Sequence, residues 1–204
     1  MIFEFDPVHP SPYKLKQLIE ILEDEQVIAI PTDTCYALAC LPNKKAAVAR
    51  LVHMRQLDPK KPRALMFTDV KQVSEYTLLG DQEYRILRRF LPGPYCFILE
   101  SNRKLPRFLG DKRQRVGVRI PAYEMVRTLI RELGVPLTVA SAVNPEDDMM
   151  LYDPWSIEST YGPALATVVD AGEVPGEVSS VIDLTNHTVE VIREGRGDIS
   201  SFLS

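Results

Sequence analysis

Apolar residues along this chain follow helical and strand spacings in turn. Ser11 and Pro12 predict a helix start, because proline is well tolerated at the first helical position, and Leu15, Leu18 and Leu22 give that helix an apolar face. Similar spacing predicts helices over about 43–56, 70–76, 82–91, 123–133 and 153–159, the first of these capped by Asn43. Short apolar runs predict strands at 27–30, 64–68, 95–100, 116–120, 137–142, 166–170, 180–184 and 189–193.

Helices and strands alternate over most of the chain, which is typical of an α/β fold. The last two predicted strands are separated by Asn186-His187-Thr188, a spacing that predicts an antiparallel hairpin. We therefore expect a single domain with a twisted, open, mixed β-sheet flanked by helices. A chain of 204 residues is long enough to bury one sizeable core.

Composition and cysteine usage indicate the kind of protein. No apolar run approaches the ~18 residues of a membrane span, and the start of the chain lacks the basic segment of a signal peptide. Cys35, Cys40 and Cys96 have no paired spacing, which favours reduced thiols. These features predict a cytoplasmic protein.

The net charge of −4 conceals an uneven distribution. Residues 1–119 contain 20 Lys and Arg against 14 Asp and Glu, whereas residues 120–204 contain 4 against 14. Cations are most concentrated over 103–119, where seven Lys and Arg accompany the single acid Asp111. Such a segment can attract nucleotide phosphates or an RNA backbone, although a solvated loop with scattered charge is the ordinary alternative.

The segment Pro31-Thr32-Asp33-Thr34-Cys35-Tyr36-Ala37-Leu38 places hydroxyls and a carboxylate directly after the strand at 27–30. Ligands of open α/β sheets bind beyond strand ends, so a pocket is expected here. Taken alone, two threonines in this position are also typical of turn capping.

This segment resembles the opening motif of the YrdC/YciO family, and further motifs of that family follow in order. They are Leu91-Pro92-Gly93-Pro94-Tyr95, Val116-Gly117-Val118-Arg119-Ile120-Pro121, Val139-Ala140-Ser141-Ala142, Ser179-Ser180-Val181-Ile182-Asp183-Leu184 and Ile192-Arg193-Glu194-Gly195. The resemblance covers nearly the whole chain. It implies a YrdC-like domain over 11–199, with residues 1–10 and 200–204 as flanking segments.

The resemblance also implies an activity, that of an L-threonylcarbamoyladenylate synthase. Family members bind ATP and L-threonine, take carbon from bicarbonate, and form threonylcarbamoyl-adenylate for tRNA modification. This is a nucleotidyltransferase reaction, and its phosphoryl-type transition state requires fixed positive charge and orientation. Since no GxxxxGK[ST] loop is present, ATP is expected to bind through side chains and strand-end loops. Mg²⁺ is expected to arrive with the phosphates, and no protein-held metal is predicted.

By the resemblance, the threonine site is formed by Thr32, Thr34, Arg119, Ser179 and Ser180. A carboxylate calls for a planar, permanently charged donor, so Arg119 is our first choice for that role. Gly117, two residues earlier, leaves room for close approach of a backbone or a ligand. A surface arginine on a strand is the structural alternative.

The resemblance places the nucleotide phosphates near His53, Arg55, Ser141 and Arg193. His53 stands where the family has lysine, and its charge near neutral pH is conditional, so a packing role is an equal alternative. The family's Ser-Ala-Asn asparagine is replaced by Val143, and Asn144 lies one residue late, which reverses its direction on a strand. Only Arg55 and Ser141 of the family's four-residue set remain, a departure that looks most like the YciO branch.

Two alternatives to adenylate synthesis stay open. The family also implies affinity for double-stranded RNA or tRNA, and Lys112, Arg113 and Arg115 are the expected contacts. Loss of the lysine and asparagine positions would weaken ATP activation but leave acyl recognition, which allows removal of the threonylcarbamoyl group from tRNA.

Overall fold

A computed structural model describes residues 2–6, 11–58, 61–109 and 111–203 of the chain. The helices within this part are α1 (Pro12–Glu23), α2 (Lys45–Met54), α3 (Val70–Tyr76), α4 (Asp81–Phe90), α5 (Glu124–Leu133) and α6 (Pro154–Tyr161). The strands are β1 (Ile2–Glu4), β2 (Ile28–Ile30), β3 (Ala37–Cys40), β4 (Ala64–Met66), β5 (Tyr95–Glu100), β6 (Arg115–Arg119), β7 (Leu137–Ser141), β8 (Thr167–Asp170), β9 (Ser180–Asp183) and β10 (Glu190–Arg193).

These strands form one sheet in the order β1-β8-β2-β3-β7-β4-β6-β5-β9-β10. Pairs β1–β8, β2–β8, β4–β6 and β5–β9 are parallel, and the remaining neighbours are antiparallel. The expected mixed, open sheet flanked by helices is confirmed, as is the hairpin formed by β9 and β10.

Most predicted elements lie within a few residues of their observed bounds. Two strands were not predicted: β1 is only three residues long, and β3 begins at the end of the segment 31–38, for which no strand was predicted. The predicted cap of α2 was wrong, because the helix starts two residues after Asn43, with Lys44 at the cap and no side-chain capping bond. Gly134 ends α5 in the left-handed conformation, with φ of 69°, directly after the helix end predicted at residue 133.

The N-terminal flanking segment is part of the sheet, because β1 pairs with β8. Near the other end of the chain, Phe202 packs against the rings of Phe90, Tyr95 and Phe97. Residues 1, 7–10 and 204 of the two predicted flanking segments lie outside the described residues. In the described part, no helix is long and apolar enough to cross a membrane.

Helices cover the two faces of the sheet unequally. One face packs on α2, α3, α4 and α6, with residues such as Leu51, Leu65, Leu87, Phe97 and Ile157 fully buried. The other face packs on α1 and α5, through Leu18, Leu22, Leu129 and Ile130, but this cover lies over β2, β3, β7 and β8. On that second face, parts of β4, β5, β6 and β9 line a cavity instead.

Candidate functional site

A cavity of about 440 Å³ occupies the part of the sheet that α1 and α5 leave open. Its floor is largely apolar and includes Ala64, Met66, Ile98, Val139 and Val181. Charged and hydroxyl-bearing side chains also line it: Lys61, Arg115, Arg119, Ser141, Ser179, Asp183 and Arg193. An apolar cleft with a few converging polar groups is the usual form of a small-molecule site.

Arg119, at the end of β6, is the most constrained cation in this cavity. Its residue is 6% exposed, and its Nη2 donates to Asp33 Oδ1 at 2.7 Å, Thr34 Oγ1 at 2.6 Å and Thr32 Oγ1 at 3.2 Å. Its Nε is buried and has no hydrogen-bond partner among the described residues. The guanidinium is therefore held on one side by the loop after β2 and retains a donor that the protein does not satisfy.

Thr32 and Thr34 act on the cavity through Arg119. Thr32 Oγ1 also accepts the backbone N–H groups of Thr34 and Cys35 at 3.2 and 3.3 Å and donates to the Cys35 carbonyl at 2.6 Å. Both threonines are fully buried and absent from the cavity lining. Their hydroxyl groups therefore shape the loop and orient Arg119, so the turn-capping and site interpretations both describe part of their role.

Ser141 lines the cavity at the end of β7, and Arg55 supports it from the opposite face of the sheet. Arg55 follows α2, and its Nε donates to the Ser141 carbonyl at 2.7 Å. The Tyr161 hydroxyl of α6 is hydrogen-bonded to the Arg55 side chain and donates to the Val143 carbonyl. Arg55 thus fixes the strand end that carries Ser141 and does not itself line the cavity.

Ser179 and Arg193 line the cavity from the β9–β10 hairpin. Arg193 donates to the Ser179 carbonyl from Nη2 at 2.8 Å and from Nε at 3.2 Å. The structure does not bring the neighbouring Ser180 into the cavity. Successive residues of extended backbone face opposite sides, so Ser180 points away from the side that Ser179 lines. The fully buried Ser180 Oγ donates to the Gly197 carbonyl at 2.6 Å and accepts the Gly195 N–H at 3.0 Å.

His53 also lies away from the cavity. It is exposed on α2 and lines a separate shallow depression with Gln56, Leu57 and Pro145. The physical reason is that α2 packs on the face of the sheet opposite the cavity. Asn144 does not replace the missing asparagine, since its Oδ1 accepts the Glu146 N–H at 3.1 Å within a turn.

Arg115 was expected to contact RNA, but the structure places it in the cavity wall between two carboxylates. Its Nη2 lies 2.7 Å from Asp111 Oδ2, and its Nη1 lies 3.0 Å from Asp183 Oδ2. Asp183 is further held by the Thr185 N–H and hydroxyl at 2.8 and 2.6 Å. Lys112 and Arg113, the other expected RNA contacts, are exposed on the preceding turn.

Two further residues line the cavity, Lys61 and Asp183, for which no site role was predicted from the sequence. Asp183 belongs to the motif that begins at Ser179. It follows Val181 by two residues on one strand, so both side chains face the same side, and this spacing could have predicted that Asp183 lines the cavity. Lys61 precedes Pro62 and β4 in a segment without periodicity, so no signal in the sequence alone located it.

Cys96 lies in the cavity floor beside Gly117. A Cβ on Gly117 would be 2.9 Å from Cys96 Sγ, so these two residues are matched in size. Burial raises the pKa of the Cys96 thiol, and the charges of Arg119 and Arg193 oppose this only in part. The thiol is therefore protonated at neutral pH and serves as a small packing group. Within the described ranges, no group of three or more His, Cys, Asp or Glu residues could hold a metal ion.

The chain is similar to proteins of one known family. A Sua5/YciO/YrdC family model, described as "Telomere recombination", matches residues 20–195. The Escherichia coli protein YciO is 32% identical over 202 residues, which is 98% of each chain. The chain belongs to the Sua5/YciO/YrdC family. The crystal structure of E. coli YciO superposes with a TM-score of 0.95, covering 100% of this chain and 99% of YciO.

Two further proteins share less sequence with this chain than E. coli YciO does. A threonylcarbamoyl-AMP synthase from Serratia proteamaculans is 28% identical over 185 residues, covering 87% of this chain and 94% of the synthase. The crystal structure of P. abyssi Sua5 complexed with L-threonine gives a TM-score of 0.87 at 23% identity, covering 96% of this chain and 57% of the Sua5 chain. At that identity, the likeness to Sua5 concerns the fold.

Proposed function

We propose that this protein binds L-threonine and ATP in the cavity and, with bicarbonate, forms threonylcarbamoyl-AMP for the modification of tRNA. One observation carries the proposal: Arg119, Ser141, Ser179 and Arg193, which come from distant parts of the sequence, line a single cavity of about 440 Å³. The named activity of the Serratia proteamaculans relative supports the same reaction.

The threonine carboxylate is assigned to Arg119. A buried guanidinium with an unsatisfied Nε attracts an anionic acceptor, because an unpaired buried donor costs free energy. Asp33 and the two threonine hydroxyls fix the plane of the guanidinium before any ligand binds. Such preorganisation reduces the entropy that binding must offset.

The ATP phosphates are assigned to Lys61 and Arg193, which line the same cavity as Arg119, Ser141 and Ser179. Arg115 is compensated by Asp111 and Asp183, so Lys61 and Arg193 supply the positive charge for phosphate oxygens. Positive charge from these two side chains would stabilise the charge that moves onto pyrophosphate as it leaves.

The reaction balances in two steps. The threonine amine attacks the carbon of bicarbonate, and water leaves to give a carbamate. A carbamate oxygen then attacks the α-phosphorus of ATP, and the bond to the β-phosphate oxygen breaks to release pyrophosphate. The side chains described here act by binding and orientation, since no residue of the cavity is assigned as a general acid or base.

Pyrophosphate release that requires both L-threonine and bicarbonate is the decisive measurement. Arg119→Lys keeps the positive charge but loses the planar fork, so we expect kcat/KM for threonine to fall about 100-fold. The matched control is Arg131→Lys, at an exposed position of α5, which is expected to leave the rate unchanged. Equal rates for the wild type and Arg119→Lys, or no rise in Tm with millimolar threonine or ATP, would contradict the proposal.

RNA binding is a second candidate, and the exposed turn with Lys112 and Arg113 favours it. This turn lies next to the cavity wall, because Asp111 accepts the N–H groups of Arg113 and Arg115 at 2.9 and 3.0 Å. An RNA backbone at this turn would be recognised by charge, with a strong dependence on salt.

A further inference from the structure

A second depression, of about 370 Å³, lies beyond the carboxyl ends of the parallel strands β4 and β6. We call it the Thr68 depression; its polar lining residues are Thr68, Asp69, Lys71, Tyr84, Arg88 and Arg127. It shares no lining residue with the cavity that contains Arg119. The crevice beyond parallel strand ends is where α/β proteins commonly bind ligands.

Two side chains of this depression carry buried polar atoms without a partner among the described residues. Thr68 is only 9% exposed; its N–H donates to Gln72 Oε1 at 2.9 Å, but its hydroxyl is unpaired. Arg127 on α5 pairs with Glu124 through Nη2, whereas its Nε is buried and unpaired. Both atoms are hydrogen-bond donors, so a group rich in acceptors would satisfy them together.

The charge around these donors favours an anion. Lys71 and Arg88 line the same depression, and neither has an acidic partner within ion-pair distance among the residues described. Asp69 opposes them, but its Oδ1 is engaged in capping α3 by accepting the Gln72 N–H at 2.8 Å. Two cations without an ion-pair partner therefore face a single lining carboxylate, and that carboxylate already accepts a hydrogen bond.

The remaining lining selects the kind of anion. Tyr84 is 40% exposed at the rim, and Val70, Leu91 and Ile120 form an apolar wall. A phosphate group offers several acceptor oxygens for the Thr68 hydroxyl, the Arg127 Nε and the two free cations. An attached base or sugar would lie against the tyrosine ring and the apolar wall.

We propose that the Thr68 depression is a phosphate-binding site for a nucleotide, separate from the cavity of Arg119. Thr68 Oγ1 and Arg127 Nε donate to the phosphate oxygens, and Lys71 and Arg88 balance the charge. The phosphate belongs either to a free nucleoside monophosphate or to the backbone of an RNA strand. The site does not depend on the function proposed above, because the two share no residue.

Binding is measured by following the Arg127 Nε–H and Thr68 N–H signals in nitrogen-edited NMR during titration of the full chain. The probes are inorganic phosphate, AMP and a short single-stranded RNA. These local signals separate the Thr68 depression from phosphate that binds near Arg119. We expect saturable shifts of both signals with phosphate or a phosphate ester in the millimolar range, on the order of 1 mM.

Variants distinguish a specific site from general attraction. Lys71→Ala/Arg88→Ala should weaken binding at least about tenfold, since two charge-assisted contacts are lost. The matched control is Arg85→Ala/Arg89→Ala. It removes two arginines of α4, the helix that carries Arg88, but these arginines line a different depression. The control should change binding less than about twofold. Tight binding of AMP identifies a free nucleotide, and stronger, salt-dependent binding of RNA identifies a strand; both support the site.

Thr68→Val provides a second test that does not depend on charge. It removes only the hydroxyl, so phosphate binding should fall about fivefold while Tm stays equal or rises, because an unpaired buried group is lost. Thr68→Ser keeps the donor and should bind like the wild type. Absence of shifts with all three probes, equal weakening in the two double variants, or unaltered binding by Thr68→Val would overturn the proposal.

Discussion

Arg119 illustrates how one side chain connects the site to the stability of the protein. Its guanidinium pairs with Asp33 at 2.7 Å, and the two side chains are 7% and 12% exposed. A buried pair contributes little by itself, but the loss of one partner leaves a charge without compensation. The side chain of Asp33 therefore compensates the charge of Arg119.

Arg119→Ala should lower the free energy of unfolding by about 3 kcal/mol, because the Asp33 carboxylate remains buried and unpaired. The double variant Arg119→Ala/Asp33→Ala should cost less than the sum of the two single changes. Urea denaturation of the four proteins measures this coupling. Strict additivity would show that the pair is not coupled in solution.

At the scale of elements, the cavity has room over the centre of β4, β5 and β6 because Ala64, Cys96 and Gly117, which line it there, are small. Ala64 Cα would lie 3.4 Å from a Cβ on Gly117, and Cys96 Sγ would lie 2.9 Å from it. The three strands are joined in register at Ala64–Gly117 and Ile98–Gly117. Glycine at this position therefore leaves room for both the thiol and the open cavity.

Gly117→Ala should destabilise the protein by about 1–2 kcal/mol, because the added methyl group overpacks the Cys96 thiol. In a Cys96→Ala background the same substitution should cost less, since Sγ is absent. Thermal or urea unfolding of the four combinations tests this. An equal cost in both backgrounds would assign the effect to the backbone of β6.

The turn before β6 should be sensitive to acid. Burial acts to raise the pKa of Asp111, but hydrogen bonds from Arg115 and Arg113 outweigh it, and the pKa lies below its usual value. A lowered pKa stabilises the fold above the unfolded-state pKa of about 4, and this contribution is lost as pH falls through the folded-state pKa.

Asp111→Asn should therefore destabilise the protein at neutral pH, and the difference from the wild type should shrink below about pH 4. Unfolding by urea across this pH range measures the difference. Glu132→Gln, at an exposed position of α5, is the control and should show little pH-dependent difference. A penalty for Asp111→Asn that persists at low pH would mean that ionisation of Asp111 is not its cause.

At the scale of the whole molecule, the fold separates the cations of the basic segment 103–119 into a paired group and an exposed group. Arg115 and Arg119 are drawn into buried or cavity-lining ion pairs, whereas Lys112 and Arg113 stay at the surface. A count of cations along the chain therefore overstates the charge available to RNA. Arg115 is better described as part of the cavity wall.

If RNA binds at this turn, Lys112→Ala/Arg113→Ala should reduce affinity and lower the slope of log K against log salt by about 2. Fluorescence anisotropy with a double-stranded RNA at several salt concentrations provides the measurement. Lys16→Ala/Lys45→Ala removes the same charge from exposed positions on α1 and α2 and should leave the slope nearly unchanged. Identical slopes for both double variants would exclude a specific role of the turn.

Sequence alone determined the order of the helices and of most strands. The spacing of apolar residues and helix-ending residues such as Gly134 are local properties of the chain. The family motifs in the sequence also indicated Arg119, Ser141, Ser179 and Arg193 as site residues.

Tertiary structure decided which of the predicted site residues face the cavity. His53 and Ser180 lie on the other side of the sheet, whereas Lys61, before β4, and Asp183, at the end of β9, line the cavity from segments that are distant in sequence. Strand pairing and helix cover fix these relations, and neither is encoded within a single segment.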